Sequence, residues 1–243
     1  MGRNANMTRH TASAFDTDLR DLGDAIVDMG ARAQRQITHA IDALVKGNVE
    51  LARSVKAEDA TIDKLQHDIE TKAIGTIARR QPFAVDLREM VGALRIANDL
   101  ERIGDLAANV AKRAEQLGDE KWTDGITIAL RSMTQRVLDQ LRHVIDSYDR
   151  RDLAEALEVW AKDAEIDALH NSIFRQLLTY MMEDPGNISL GMHLLFCAKN
   201  IERIGDHATN IAESVHYIVQ GSAIPGERPK LGAIPESNPR AFH

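Results

Sequence analysis

The sequence predicts an all-α protein made of two similar three-helix units in tandem, and three observations predict it. First, the string Glu-Arg-Ile-Gly-Asp occurs twice, at Glu101 to Asp105 and at Glu202 to Asp206, an offset of 101 (202 − 101), and Asn109 and Asn210 keep the same register. A unit repeated once within 243 residues reads as duplicated supersecondary structure. Second, apolar residues recur at steps of three and four through six long stretches, which is the stripe of an amphipathic helix. Third, aromatic residues make up 4% of the chain and proline occurs before residue 225 only at Pro82 and Pro185, a composition suited to long helices.

Residues 1–12 are polar and are expected to form an irregular arm, with a helix starting near Ser13. Phe15, Leu19, Leu22, Ile26, Met29, Ala33, Ile37, Ile41 and Leu44 stripe the first helix, which at about 1.5 Å per residue spans roughly 50 Å and stops at Gly47-Asn48. Val55, Ile62, Leu65, Ile69 and Ile77 mark the second helix. It ends at Gln81-Pro82, because proline withholds a backbone donor and disfavours the helical state of the residue before it. The third helix carries Leu87, Val91, Leu94, Ile96, Leu100, Ile103, Ala107 and Val110 to Leu117-Gly118. Three such stripes joined by short connections bury one another.

The second half repeats the plan. Ile126, Leu130, Met133, Val137, Leu141, Val144 and Ile145 give a fourth helix; Leu157, Trp160, Ile166, Leu169, Ile173, Leu177 and Tyr180 a fifth; Leu190, Leu194, Cys197, Ile201, Ile204, Ala208, Ile211 and Val215 a sixth. Pro185 falls where Pro82 fell, 103 residues on (185 − 82). The expected organisation is an arm over 1–12, a first bundle over 13–118, a second over 119–220, and a tail over 221–243. That tail holds four of the six prolines and is expected to lack the means to pack.

Composition narrows the function. A formal charge of −7 argues against a nucleic-acid partner held by phosphate contacts. One cysteine, Cys197, leaves no disulfide or CxxC motif, and its place on an apolar stripe predicts packing. No stretch approaches the roughly 20 apolar residues of a membrane span, so a soluble, cytoplasmic protein is expected.

The chemistry concentrates in the repeat. On a helical wheel Glu101, Asp105 and Asn109 lie at roughly 140°, 180° and 220° from the stripe of Ile96, Leu100, Ile103, Ala107 and Val110, a line of oxygens predicted to face away from the core. Glu202, Asp206 and Asn210 repeat it. Carboxylates four apart repel unless something positive lies between them; a hard metal ion is one answer, and Arg102 and Arg203 are another. Gly104 and Gly205 interrupt their helices, at about 1 kcal/mol each relative to alanine, which marks a close approach by another element or a ligand. The second helix of each unit adds Asp59 with Asp63, and Asp163 with Asp167, at an offset of 104 (163 − 59), where the apolar seam is interrupted. These carboxylates either pair with arginines on an adjacent helix or contribute to the oxygen-rich sites. Asp167 and His170 have the spacing of a helical di-iron motif, but Gln66 stands at the matching place in the first half. His39 is a candidate phosphoryl acceptor without a marked neighbour. Neither a nucleophile paired with a base, a phosphate-cradling glycine loop nor HExxH is present.

The doubled motif, Asp99-Leu-Glu101-Arg-Ile-Gly-Asp105-x-x-x-Asn109 and Asn200-Ile-Glu202-Arg-Ile-Gly-Asp206-x-x-x-Asn210, within six helices of this length, resembles the PhoU family over residues 13–220. The resemblance implies two three-helix bundles related by a pseudo-twofold axis, with metal-binding acidic motifs. It implies Glu101, Asp105, Glu202 and Asp206 as ligands, Asn109 and Asn210 in line, and Asp59, Asp63, Asp163 and Asp167 in support. The cofactors implied are divalent or ferric ions (iron, zinc, manganese, magnesium or nickel). It further implies a non-enzymatic negative regulator of phosphate uptake and of the phosphate-starvation response, coupling a phosphate ABC transporter to a sensor histidine kinase, in the cytoplasm and as a homodimer. Asp99 is matched by Asn200, so the two sites are expected to differ in charge.

Overall fold

Each apolar stripe becomes one long helix, with a single exception. The structure, a computed structural model, describes residues 3–226 and 228, with side chains from residue 15 onward. The helices are α1 (Arg3–Lys46), α2 (Val49–Arg80), α3 (Val85–Leu117), α4 (Asp124–Arg150), α5 (Leu153–Ala161), α6 (Asp163–Glu183) and α7 (Ile188–Gln220), with a 3-10 turn at Pro185–Asn187. No strand occurs among the described residues.

Two boundaries differ from expectation. Helix α1 begins at Arg3, so most of the expected arm is helical. Residues 3–12 contain neither proline nor glycine, and a helix that is already nucleated propagates through such a segment. The expected fifth helix is broken at Lys162 into α5 and α6. The break sets Asp163 at the head of α6, buried against α7.

The stops follow local chemistry. Gly47 takes φ +64°, and a Cβ there would meet the Gly118 carbonyl oxygen at 2.6 Å, so this turn needs both the freedom and the slimness of glycine. Asn48 then caps α2 by accepting from the Leu51 amide at 3.0 Å. Asp152 accepts from the amides of Ala154 and Glu155 at the start of α5. Asp152→Ala is expected to lower the unfolding free energy by about 1 kcal/mol, read as a shift of the urea midpoint at constant slope.

Helices α1, α2 and α3 pack as one bundle, and α4, α5/α6 and α7 as the other. The two are more tightly joined than tandem units need be, because α3 lies along α7 and α1 along α4, and one apolar core runs through both. Ile96, Leu100 and Ile103 of α3 and Leu194, Ile201 and Ile211 of α7 have no exposed surface within it. Cys197 is part of this core, as expected, and burial pushes its thiol up to about 12. Among the described residues no helix is long and apolar enough to cross a membrane.

Candidate functional site

The first acidic site forms where α3 passes α2 and α1. Gly104 is buried there, and a Cβ on it would lie 3.1 Å from Gln36 Oε1, 3.2 Å from Asp59 Oδ1 and 3.2 Å from Ile62 Cδ1. The missing side chain therefore lets α1 and α2 bring polar atoms against the α3 backbone, the close approach that a mid-helix glycine signals. Gln36 is 1% exposed and donates through Nε2 to Asp59 Oδ1 at 3.0 Å, while its Oε1 is enclosed without a hydrogen bond. Glu101 is half-buried. Its Oε2 is enclosed, lying 3.3 Å from Arg102 Nε but outside hydrogen-bond alignment. Arg102 turns outward to Asp105 at 2.9 Å.

Burial holds the Asp59 carboxyl above its ordinary value; the Gln36 hydrogen bond opposes this, and the charges of Asp63 and Asp105 add to it. Burial also raises Glu101, reinforced by Asp105, Asp63 and Asp59 against Arg102. Four carboxylates from two helices thus share one field that their local arginine does not cancel. Asp63 is exposed at its rim, and Asn109 lies on the exposed outer line of α3.

The second site is built from the same positions. Asp163 is 3% exposed and receives the Thr209 hydroxyl at 3.1 Å. Glu202 Oε2 is enclosed without an aligned hydrogen bond although Lys199 Nζ lies 2.6 Å away, and Gln140 Oε1 is likewise enclosed. A Cβ on Gly205 would meet Ile166 Cδ1 at 2.7 Å. His170 stands beside this site: burial pushes its imidazole below its ordinary value, Glu202 and Asp167 pull it up, and Lys199 opposes them. Asp206 is held by Arg228 Nη2 at 2.9 Å. The expectation that the tail cannot pack is therefore corrected at Arg228, because a guanidinium finds paired carboxylates there; residues 227 and 229–243 lie outside the described residues.

Two further expectations are corrected. The carboxylate lines do not simply face away from the core, because α3 and α7 each touch several helices and the groove beside the α2 or α6 neighbour encloses Glu101 and Glu202. Asn210 leaves its line: its Nδ2 donates to Asp99 Oδ1 at 3.3 Å, and His207 Nδ1 lies 2.8 Å from the same oxygen. Asp99 therefore belongs to the seam between the halves, whereas Asn200 in the repeat donates to the Phe196 carbonyl oxygen of its own helix at 2.7 Å. The reach of α3 against α7 decides this, and a wheel drawn for one helix does not contain it.

Among the residues missed, Gln36 and Gln140 had a legible signal: an offset of 104 (140 − 36), equal to that between Asp59 and Asp163, at polar positions inside apolar stripes. His207 and Thr209 had none, since they meet Asp99 and Asp163 on other helices. His39 lines a small pocket between α1 and α4, with its Nδ1 enclosed.

The donor set suits a hard cation: in each site one glutamate oxygen, on Glu101 or Glu202, is enclosed without a hydrogen bond, and an unpartnered glutamine amide oxygen, on Gln36 or Gln140, lies against the helical glycine. Among the described residues no three carboxylate, imidazole or thiol side chains converge into a preformed cage. A cation held here would take Asp59, Glu101 and Asp105, or Asp163, Glu202 and Asp206, and complete its shell with water.

A family model described as PhoU domain matches residues 26–114 and again 130–215. A protein of Rhizobium meliloti (strain 1021) described as "Phosphate-specific transport system accessory protein PhoU homolog" is 48% identical over 221 residues, covering 91% of this chain and 93% of its own. A protein of Caulobacter vibrioides with the same description is 45% identical over 228 residues, 94% of this chain and 99% of its own. The crystal structure of PhoU from Pseudomonas aeruginosa superposes with a TM-score of 0.82 at 36% identity, covering 86% of this chain and 100% of that one. A phosphate transport system regulatory protein PhoU from Streptococcus pneumoniae gives 0.80 at 25% identity, over 86% and 99%.

Proposed function

The chain belongs to the PhoU family, and from that membership we propose that it is a non-enzymatic accessory protein of a phosphate-specific transport system. In this reading it restrains phosphate uptake and the phosphate-starvation response by coupling the phosphate ABC transporter to a sensor histidine kinase. It acts in the cytoplasm as a homodimer that touches membrane proteins without spanning the bilayer. The observation that carries the reading is the family match to both halves of the chain, with relatives described as phosphate-transport accessory proteins aligned over nine-tenths of it. Exposed Phe83 and Val85 beside the α2–α3 turn, and Ile188, Met192 and Phe196 along the start of α7, offer apolar surface to such partners.

In the same reading the two acidic sites bind divalent or ferric ions. Glu101, Asp105, Glu202 and Asp206 are the principal ligands, and Asp59, Asp63, Asp163 and Asp167 supply or orient further oxygens. A bound cation would cancel the mutual repulsion of each carboxylate group and so tie α2 to α3, or α6 to α7.

Deletion of the gene is expected to raise phosphate uptake and starvation-response output at high external phosphate, and unchanged output would overturn the regulatory reading. For the metal, protein purified without chelator is compared with the Glu101→Ala/Asp105→Ala/Glu202→Ala/Asp206→Ala variant by elemental analysis. The variant is expected to lose its metal; equal content would overturn that part alone.

A further inference from the structure

The two acidic sites carry the same four carboxylate positions yet differ in what already fills them. In the first site the nearest cation, Arg102, is exposed and belongs to the same helix as the carboxylates it meets. In the second, Arg228 arrives from outside the bundle. Its Nε and Nη2 each lie 2.8 Å from one oxygen of Asp163, a bidentate pair, and Nη2 also reaches Asp206 Oδ1 at 2.9 Å and the Asp206 carbonyl oxygen at 3.3 Å. The Arg228 side chain is 17% exposed, and Asp163 is almost wholly enclosed. A planar guanidinium locked between two carboxylates in this way is a strong, directional contact, and removing one partner leaves the other charge buried and unpaired.

Topology explains why only the second half has this contact. After α3 the chain passes through residues 118–123 straight into α4, so nothing there can fold back over Asp59 and Asp105. After α7 the chain is free to return. Gly221 closes the helix, Ser222 offers its carbonyl oxygen to His216 Nδ1 at 2.9 Å, and the segment runs past Trp160 and Tyr217 along a cleft of about 870 Å³ toward Asp163. The contact therefore joins the tail, α6 and α7 at the head of α6, where the break at Lys162 places Asp163.

We propose that Arg228 is a tethered cation that fills the second acidic site, leaving the first site open to an external metal ion and the second available only when the tail is displaced. This rests on the metal reading of these sites. Linkage makes the effect reciprocal: an ion entering the second site must weaken the docking of the tail by the same factor by which the tail weakens the ion. The duplicated fold would then hold one constitutive site and one that reports on the position of the C-terminal segment.

Two measurements on the full chain test this. Without metal, Arg228 is expected to give a slowly exchanging Nε–H resonance in a ¹H–¹⁵N spectrum, lost in Arg228→Lys and in Asp163→Asn; a spectrum without it in the unsubstituted protein would overturn the docking. With Mn2+ alone as probe, each site is isolated by disabling the other, using Glu101→Gln/Asp105→Asn or Glu202→Gln/Asp206→Asn. Adding Arg228→Ala is expected to raise Mn2+ affinity about tenfold or more where the second site is intact, and to leave it unchanged where only the first is. Binding at the first site with no gain at the second overturns the competition and spares the metal reading. No binding in any variant overturns both.

Discussion

Gly104→Val is expected to lower the unfolding free energy by about 1–3 kcal/mol and to abolish cation-dependent stabilisation through the first site. Its Cβ would fall between Gln36 Oε1 and Asp59 Oδ1, each closer than 3.3 Å, with Ile62 Cδ1 behind them. The γ-methyls would then force a buried amide and a carboxylate apart without replacing their hydrogen bonds. Valine is a better helix former than glycine by a few tenths of a kcal/mol, too little to offset the overlap. Gly23 is the control: it too lies inside a helix, but a Cβ there meets nothing within 4 Å. Gly23→Ala is therefore expected to stabilise by up to about 1 kcal/mol. Urea unfolding of the two variants checks the pair, and the same sign in both would refute this account of Gly104.

A divalent cation added at about a hundred times its dissociation constant is expected to stabilise the protein at neutral pH by about 2.7 kcal/mol. That is a midpoint rise of roughly 5–10 °C for a chain of this size. Burial first, and then the repulsion among Asp59, Glu101 and Asp105, raises the carboxyls of Asp59 and Glu101, and a cation between them would offset both. The pH dependence follows with a definite sign. A carboxyl whose folded-state pKa is raised binds its proton more tightly when folded than when unfolded, so it detracts from stability at neutral pH. That loss is recovered as pH falls through the folded-state value and is fully recovered below the ordinary carboxylate value. Asp42 and Glu115 run the other way: hydrogen bonds from Lys46 to the first and Lys56 to the second, with further pairing to Arg131 and Arg53, hold them below their ordinary values, so their contribution is lost in acid. The difference between the unsubstituted protein and Asp59→Asn/Glu101→Gln isolates the acidic site. The variant is expected to be more stable near pH 7, to converge on the unsubstituted protein as pH falls, and to lose the part of the cation response that comes from the first site. A variant as responsive to Mn2+ in thermal melts as the unsubstituted chain would place the ion elsewhere.

Both results depend on contacts of two different kinds. Within one helix, residues three and four apart are neighbours by geometry alone, so the stripe of Ile96, Leu100 and Ile103 and the pairing of Glu101 with Asp105 can be read from spacing. Proline and glycine mark where helices stop, and Gly47, Pro82, Gly118 and Pro185 all stand at or beside helix ends. The break at Lys162 had no such mark. It places Asp163 against Thr209 and Arg228, which lie 46 and 65 residues further along the chain.

By itself the sequence determined the duplication, the helices, the glycines of close approach and the residue types of two oxygen-rich sites, because each is written in local periodicity or in an exact repeat. Only the tertiary structure decided that Gln36 donates to Asp59 and that Gln140 is enclosed near Gly205. The same holds for Asn210 and His207, which turn away to Asp99 across the α3–α7 seam, and for Arg228, which returns to the second site. These are meetings between side chains on different helices, set by how the helices approach and cross, and helical periodicity carries no record of which neighbour a given face will meet.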